Sequence, residues 1–158
     1  MQKITPFLWF DNNAEEAVNF YTSIFKNSGI GKTSRYSGEG AKVSGQKEGT
    51  VMTMAFNLNG QNFTAINGGP IFKFTEAISF VVSCEDQEEV DHYWNKLTEG
   101  GQEVQCGWLK DKYGLSWQVV PRQMGELMTG ANAGKVMGAM LKMKKIIIKD
   151  LEDVANQS

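Results

Sequence analysis

Residues 13–24 read Asn-Ala-Glu-Glu-Ala-Val-Asn-Phe-Tyr-Thr-Ser-Ile, and residues 86–97 read Asp-Gln-Glu-Glu-Val-Asp-His-Tyr-Trp-Asn-Lys-Leu. Each stretch opens on a residue able to cap a helix, with Glu three positions on (Asn13/Glu16 and Asp86/Glu89). At that spacing the two side chains can satisfy each other's orphan backbone N–H groups. The apolar residues then fall in step: Ala17, Phe20, Tyr21 and Ile24 in the first, Val90, Tyr93, Trp94 and Leu97 in the second. A spacing of three and four residues puts each set on one face of a helix, and so against a core. Gly29 after the first stretch and Gly100-Gly101 after the second read as helix stops.

The likeness extends outward. A β-rich run precedes each helix, Ile4–Phe10 and Ala77–Ser83. Downstream, Gly60-Gln-Asn-Phe-Thr-Ala-Ile-Asn67 mirrors Gly114-Leu-Ser-Trp-Gln-Val-Val-Pro121: Gly, then an aromatic, a polar residue and two aliphatics at the same offsets. The first half carries extra residues that coincide with Ser37–Gly49, rich in Gly, Ser and charge, which reads as a long mobile loop. Each half is thus predicted as βαβββ. The first half places its elements at about 3–10, 13–27, 30–37, 50–58 and 61–67, the second at about 76–83, 86–99, 102–107, 108–111 and 114–120. A helical tail follows, with a turn at 122–130, a helix at 132–145 facing inward through Val136, Met140 and Met143, and a last helix at Asp150–Ala155. The expectation is one α+β domain of two modules, about 1–70 and 75–121, with a tail over about 122–158.

Composition narrows the function. The chain has 158 residues, 41% hydrophobic and 22% charged, with Lys+Arg 16 against Asp+Glu 18. That balance argues against nucleic acid, which needs a clear basic excess. No apolar run approaches the ~20 residues of a membrane span, and the N-terminus lacks a signal-peptide core. Two cysteines do not make a disulfide scaffold. A cytoplasmic protein is expected. With one histidine, His92, no multi-histidine metal site is available within the chain.

The repeat, with the stretches Gln-Glu-Glu-Val-Asp-His-Tyr-Trp (87–94), Cys-Gly-Trp-Leu-Lys-Asp-Lys-Tyr-Gly-Leu-Ser-Trp-Gln-Val-Val-Pro (106–121), Asn67-Gly-Gly-Pro70 and the tail from Val136 to Lys145, resembles the vicinal oxygen chelate superfamily. That superfamily includes glyoxalase I, extradiol dioxygenases and bleomycin- and fosfomycin-resistance proteins. Within it the chain resembles the PhnB-like branch, often labelled demethylubiquinone methyltransferase. The resemblance implies two βαβββ modules whose sheets curl around a cavity, a homodimer, and a divalent metal held by the first and last strand of each module. It does not imply a reaction, because the fold hosts many chemistries.

The repeat register lets those ligand positions be read. On the first strands they carry Ile4, Pro6 and Leu8, and Ala77, Ser79 and Val81; on the last strands, Thr64 and Gln118. Only Gln118 is a candidate ligand, and one amide does not replace the hydration of a cation. A slip of one residue would offer Thr5, Glu76 or Trp117, which does not rescue a site. No metal and no cofactor are expected. Gln118 instead reads either as a ligand-binding amide, with Thr64, Ser79, Ser116 and Leu8 on the same wall and Trp108 on the rim, or as a core residue satisfied by backbone. Cys106 and Asp111 are the weak catalytic candidates. The thiol reads more simply as a small hydrophobe and the carboxylate as a turn cap. His92 reads as an exposed helix residue. Gly29-Ile-Gly31 and Gly38-Glu-Gly40 do not read as a strand-to-helix cofactor turn, so methyl-donor binding of the Rossmann kind is not expected. The leading reading is a small-molecule-binding protein, with a lyase, isomerase or transferase and a ligand-sequestering protein as alternatives. The methionines of the tail, Met137, Met140 and Met143, could cover a sheet edge or a partner subunit.

Overall fold

A computed structural model of the chain describes residues 2–157. They fall into two compact units, residues 2–74 and 75–157. The first contains β1 (Phe7–Phe10), α1 (Ala14–Ile24), β2 (Gly29–Arg35), α2 (Gly38–Ser44), β3 (Val51–Leu58) and β4 (Gln61–Asn67). The second contains β5 (Ser79–Cys84), α3 (Gln87–Leu97), β6 (Gln102–Glu103), β7 (Trp108–Lys110) and β8 (Ser116–Pro121), then α4 (Met124–Leu127), α5 (Ala133–Met140) and α6 (Ile148–Ala155). The sheets have the same order, β1-β4-β3-β2 and β5-β8-β7-β6. In each, the first and last strands pair in parallel and the remaining pairs are antiparallel. The α+β repeat read from the sequence is therefore present strand for strand, in two open four-stranded sheets.

Each helix buries most of the expected stripe, but Phe20 and Tyr93 are only half-buried and Val18 joins the first. In the first unit Ala17, Val18, Tyr21 and Ile24 are buried, and Tyr21 stacks on Phe56, which stacks on Phe63. In the second, Val90, Trp94 and Leu97 are buried, and Trp94 Nε1 donates to Glu103 Oε1 at 2.6 Å. Asp86 caps α3, with Glu89 N donating to its Oδ1 at 2.9 Å, but Glu89 Oε1 accepts from Glu85 N, one residue before the cap, so the reciprocal half of the box is displaced.

Four expectations are corrected. Asn13 makes no side-chain cap. Ala14 N donates to Asn67 Oδ1 at 2.8 Å, so the helix start is capped from the end of β4. β1 begins at Phe7 rather than residue 3, because Pro6 has no N–H to give to a ladder, although its carbonyl accepts from Thr64 N. Ser37–Gly49 is not all loop: it holds α2, two turns with no buried residue. The tail helix stops at Met140, not 145, because the next carbonyls are taken elsewhere. Met143 O and Lys144 O accept from Cys106 N and Gly107 N, both at 2.8 Å. Gln87 accepts from Ile148 N and donates to Ile146 O, and Lys145 pairs with Asp91. Val136 and Met140 are buried as expected, but Met143 is only half-buried and Met137 is exposed.

Candidate functional site

β8 carries the sequence Ser-Trp-Gln-Val, and strand alternation divides it. Trp117 and Val119 share a face with Phe80, Val82 and Leu109, the face α3 covers. Ser116 and Gln118 point the other way. Register places Ser79 and Lys110 on either side of Ser116, and Val81 and Trp108 on either side of Gln118. Gln118 Nε2 donates to Ser79 Oγ at 3.0 Å. Ser116 is buried, and its Oγ has no hydrogen-bond partner among the described residues. Lys110 Nζ forms an ion pair with Glu76. The ammonium's hydrogen bond, the residue's own backbone and the charge of Lys110 hold the Glu76 carboxyl below the usual carboxylate range. Four of the six residues expected to bind ligand, Ser79, Trp108, Ser116 and Gln118, thus lie on one face of one sheet. Lys110 was not singled out, and Glu76 was named only as a residue that a one-residue slip would offer. The signal for Lys110 was its alternation with Trp108 around the buried Leu109.

Thr64 occupies the position equivalent to Gln118 in the first unit. Beside it, on the face turned from α1, lies Phe7, and next along lie Ile66 and Trp9. Thr64 borders a groove of about 480 Å³ with Ala55, Asn57, Asn62 and Gly31. Leu8 does not share that wall. It pairs with Ala65 on the α1 side and is 7% exposed. The cause is a connection one residue longer between β1 and α1 (residues 11–13) than between β5 and α3 (residues 85–86). Carrying the helix register back into the strand therefore slips it by one, and a one-residue slip exchanges the faces. The true counterpart of Val81 is Phe7.

The catalytic candidates are placed differently. Asp111 is 3% exposed and caps its own turn: Oδ1 accepts from Tyr113 N (2.8 Å) and Leu115 N (3.1 Å), and Oδ2 from Trp117 Nε1 (2.9 Å). Its oxygens face the covered side of the sheet, so it is not placed as a general base toward Gln118. Cys106 sits at φ +61° in the turn between β6 and β7, followed by Gly107 at +81°. There its N–H holds the tail. Cys84 is buried, and burial, with Glu89 and Asp86 nearby, pushes its thiol up to about 12, the opposite of what a nucleophile needs. His92 is exposed and lies edge-on to Tyr93. Gly38-Glu-Gly40 does follow a strand and open a helix, contrary to the reading above. However, β2 and β3, which flank α2, are antiparallel neighbours, so no parallel crossover forms.

The positions to which the resemblance assigns metal ligands carry Phe7 with Thr64, and Val81 with Gln118. Two aliphatic or aromatic side chains, one hydroxyl and one amide do not fit a divalent cation, which needs carboxylate or imidazole donors to replace its water. Among the described residues no three His, Cys, Asp or Glu side chains group so as to hold a metal ion. No helix among them is long and apolar enough to cross a membrane.

Residues 2–120 match the model of the family described as 3-demethylubiquinone-9 3-methyltransferase. The chain is similar to a solved PhnB protein from Bacillus cereus, described as a putative 3-demethylubiquinone-9 3-methyltransferase. The two share 45% identity over 76% of this chain and 99% of that one, with a TM-score of 0.68. Protein PA1353 from Pseudomonas aeruginosa shares the fold at 19% identity and a TM-score of 0.63, over 77% of this chain and 98% of that one. The fosfomycin resistance protein FosX from Listeria monocytogenes does so at 16% identity and 0.55, over 79% and 94%. No curated protein sequence matches the chain.

Proposed function

The chain belongs to the family described as 3-demethylubiquinone-9 3-methyltransferase, the PhnB-like branch of the vicinal oxygen chelate superfamily, and on that premise we propose that it binds a small molecule on the Gln118 face of its second sheet without a divalent metal. The observation that carries this is the buried, unpartnered hydroxyl of Ser116 beside the Gln118–Ser79 hydrogen bond. A buried hydroxyl without a partner is costly, and native proteins keep such groups mostly where something else completes them. Half-buried Trp108 supplies apolar surface next to Gln118, and a few polar groups against apolar area are what small-ligand sites offer. The donor set argues against a metal-centred reaction. The antiparallel setting of α2 argues against a methyl donor bound as in a Rossmann fold. Turnover by a lyase, isomerase or transferase and simple sequestration share this site. The protein is proposed to act in the cytoplasm as a homodimer. Exposed apolar residues on or just before the edge strands recur at matching places in both units, Ile4 and Phe7 in the first and Ile78 and Val81 in the second, and such edges attract a partner.

Native mass spectrometry of the protein purified from its own host tests the reading. A co-purified small molecule, released by Gln118→Ala, supports it. Thermal unfolding with Mn2+, Zn2+ or Ni2+ forms the second arm. A midpoint that rises with metal and loses that rise in Gln118→Ala overturns the metal-free reading.

A further inference from the structure

Ser116 is 1% exposed and its Oγ has no partner among the described residues. Its two neighbours across the sheet are Ser79 on β5 and Lys110 on β7, so hydroxyl, hydroxyl and ammonium stand in one row on the face turned from α3. The Ser79 oxygen already accepts from Gln118 Nε2, which leaves its proton to be given away. Lysine has no acceptor at all. The row therefore offers donors and positive charge, and it already holds one carboxylate: Glu76, just before β5, pairs with Lys110 from the far side of β8. The lysine side chain is 35% and the glutamate 59% exposed. An ion pair so open to water is weak, and competing it away costs a ligand less than about tenfold in affinity.

We propose that the row Ser79–Ser116–Lys110 binds the oxyanion of a small ligand, a carboxylate or a phosphoryl group, which takes the place of Glu76 on Lys110 while a flat body lies along Trp108. The inference rests on the reading that ligand occupies this face, and it adds the ligand's charge and the group that yields to it. The oxyanion accepts from Ser116, from Ser79 and from the ammonium at once, which completes the buried hydroxyl. Charge-assisted bonds of this kind are the strong ones. A neutral analogue leaves Lys110 with Glu76 and Ser116 incomplete.

The test titrates the full chain with benzoate, phenylphosphonate and neutral benzamide, followed by calorimetry and by amide chemical shifts. Binding of benzoate or phenylphosphonate with shifts at Ser79 and Ser116 is expected, and the stronger of the two identifies which oxyanion the row takes. Benzamide is expected at least about tenfold weaker, the loss of one charge-assisted contact. Glu76→Gln frees the ammonium and tightens the anion several-fold. Lys110→Met weakens it at least about tenfold. Ser116→Ala weakens it several-fold while raising the melting midpoint, which shows that the variant is folded. Benzamide binding as well as the anions, with shifts around Gln118, overturns the oxyanion proposal and leaves the small-molecule reading standing. Weaker anion binding in Glu76→Gln also overturns it. If none of the three probes binds, the oxyanion proposal falls, and the broader reading is decided by the co-purified ligand.

Discussion

Replacing Asp111 by Asn separates a turn cap from a general base. The buried carboxylate receives hydrogen bonds from Tyr113 N, Leu115 N and Trp117 Nε1. Asparagine keeps one oxygen for the two backbone donors but turns an NH2 group toward the indole N–H, so two donors face each other. Leaving the buried indole donor unmet costs about 1–3 kcal/mol, and turning two charge-assisted bonds into neutral ones costs about 0.5–1 kcal/mol each. The sum is about 3 kcal/mol, against a domain stability of roughly 5–15 kcal/mol. For a chain of this size that lowers the thermal midpoint by about 6–12 °C. Urea unfolding followed by tryptophan fluorescence reads the loss directly. The amide shifts of Ser79, Ser116 and Gln118, on the other face, should hardly move in the folded variant. A loss below about 1 kcal/mol would refute the account of the turn, since even one unmet buried donor costs that much. An unchanged stability with altered chemistry at the Gln118 face would return Asp111 to the site.

Asn67→Ala should destabilise the first unit by about 2–4 kcal/mol in the same assay, because Ala14 N and Val51 O both lose their partner in a buried setting. Asn13→Ala, which removes no side-chain cap, is the control and should cost far less. Cys84 should resist a thiol reagent in the native protein and react only on unfolding. Its folded value of about 12 lies above its ordinary 9.0, so the stabilisation it confers is complete below about pH 9 and is lost as pH rises toward 12. Cys84→Ala should flatten that alkaline decline. Gln87→Ala removes the side chain that both donates to Ile146 O and accepts from Ile148 N. Hydrogen exchange should then show loss of protection confined to the tail around 144–155, with the sheet order of the second unit intact.

The duplication was legible because helices announce themselves locally. The stripes of α1 and α3 and the Gly-aromatic-polar-aliphatic pattern of β4 and β8 survive in the residues themselves, and periodicity reads them without any knowledge of what lies opposite. The Asp86 cap on Glu89 N is equally local. Asn13 carried the same signal and did not act on it, because Asn67 reached the helix start first from the neighbouring strand. The end of α5 was illegible for a similar reason. Residues 141–145 have helical composition, but their carbonyls and charges are claimed by the turn at Cys106–Gly107 and by α3.

The sequence alone determined that two βαβββ-type units exist and where α1 and α3 lie, though not α2. The tertiary structure decided which way each strand faces. One extra residue between β1 and α1 is nearly invisible in a helix register, yet it turns Leu8 toward α1 and Phe7 away from it. A strand repeats every two residues, so a shift of one reverses it completely. A helix has no such all-or-none dependence, and that is why its buried face could be read directly while the facing of β1 could not. The pairing of Lys110 with Glu76 and the stranded hydroxyl of Ser116 depend on strands distant in sequence, and only the assembled ladder brings them together.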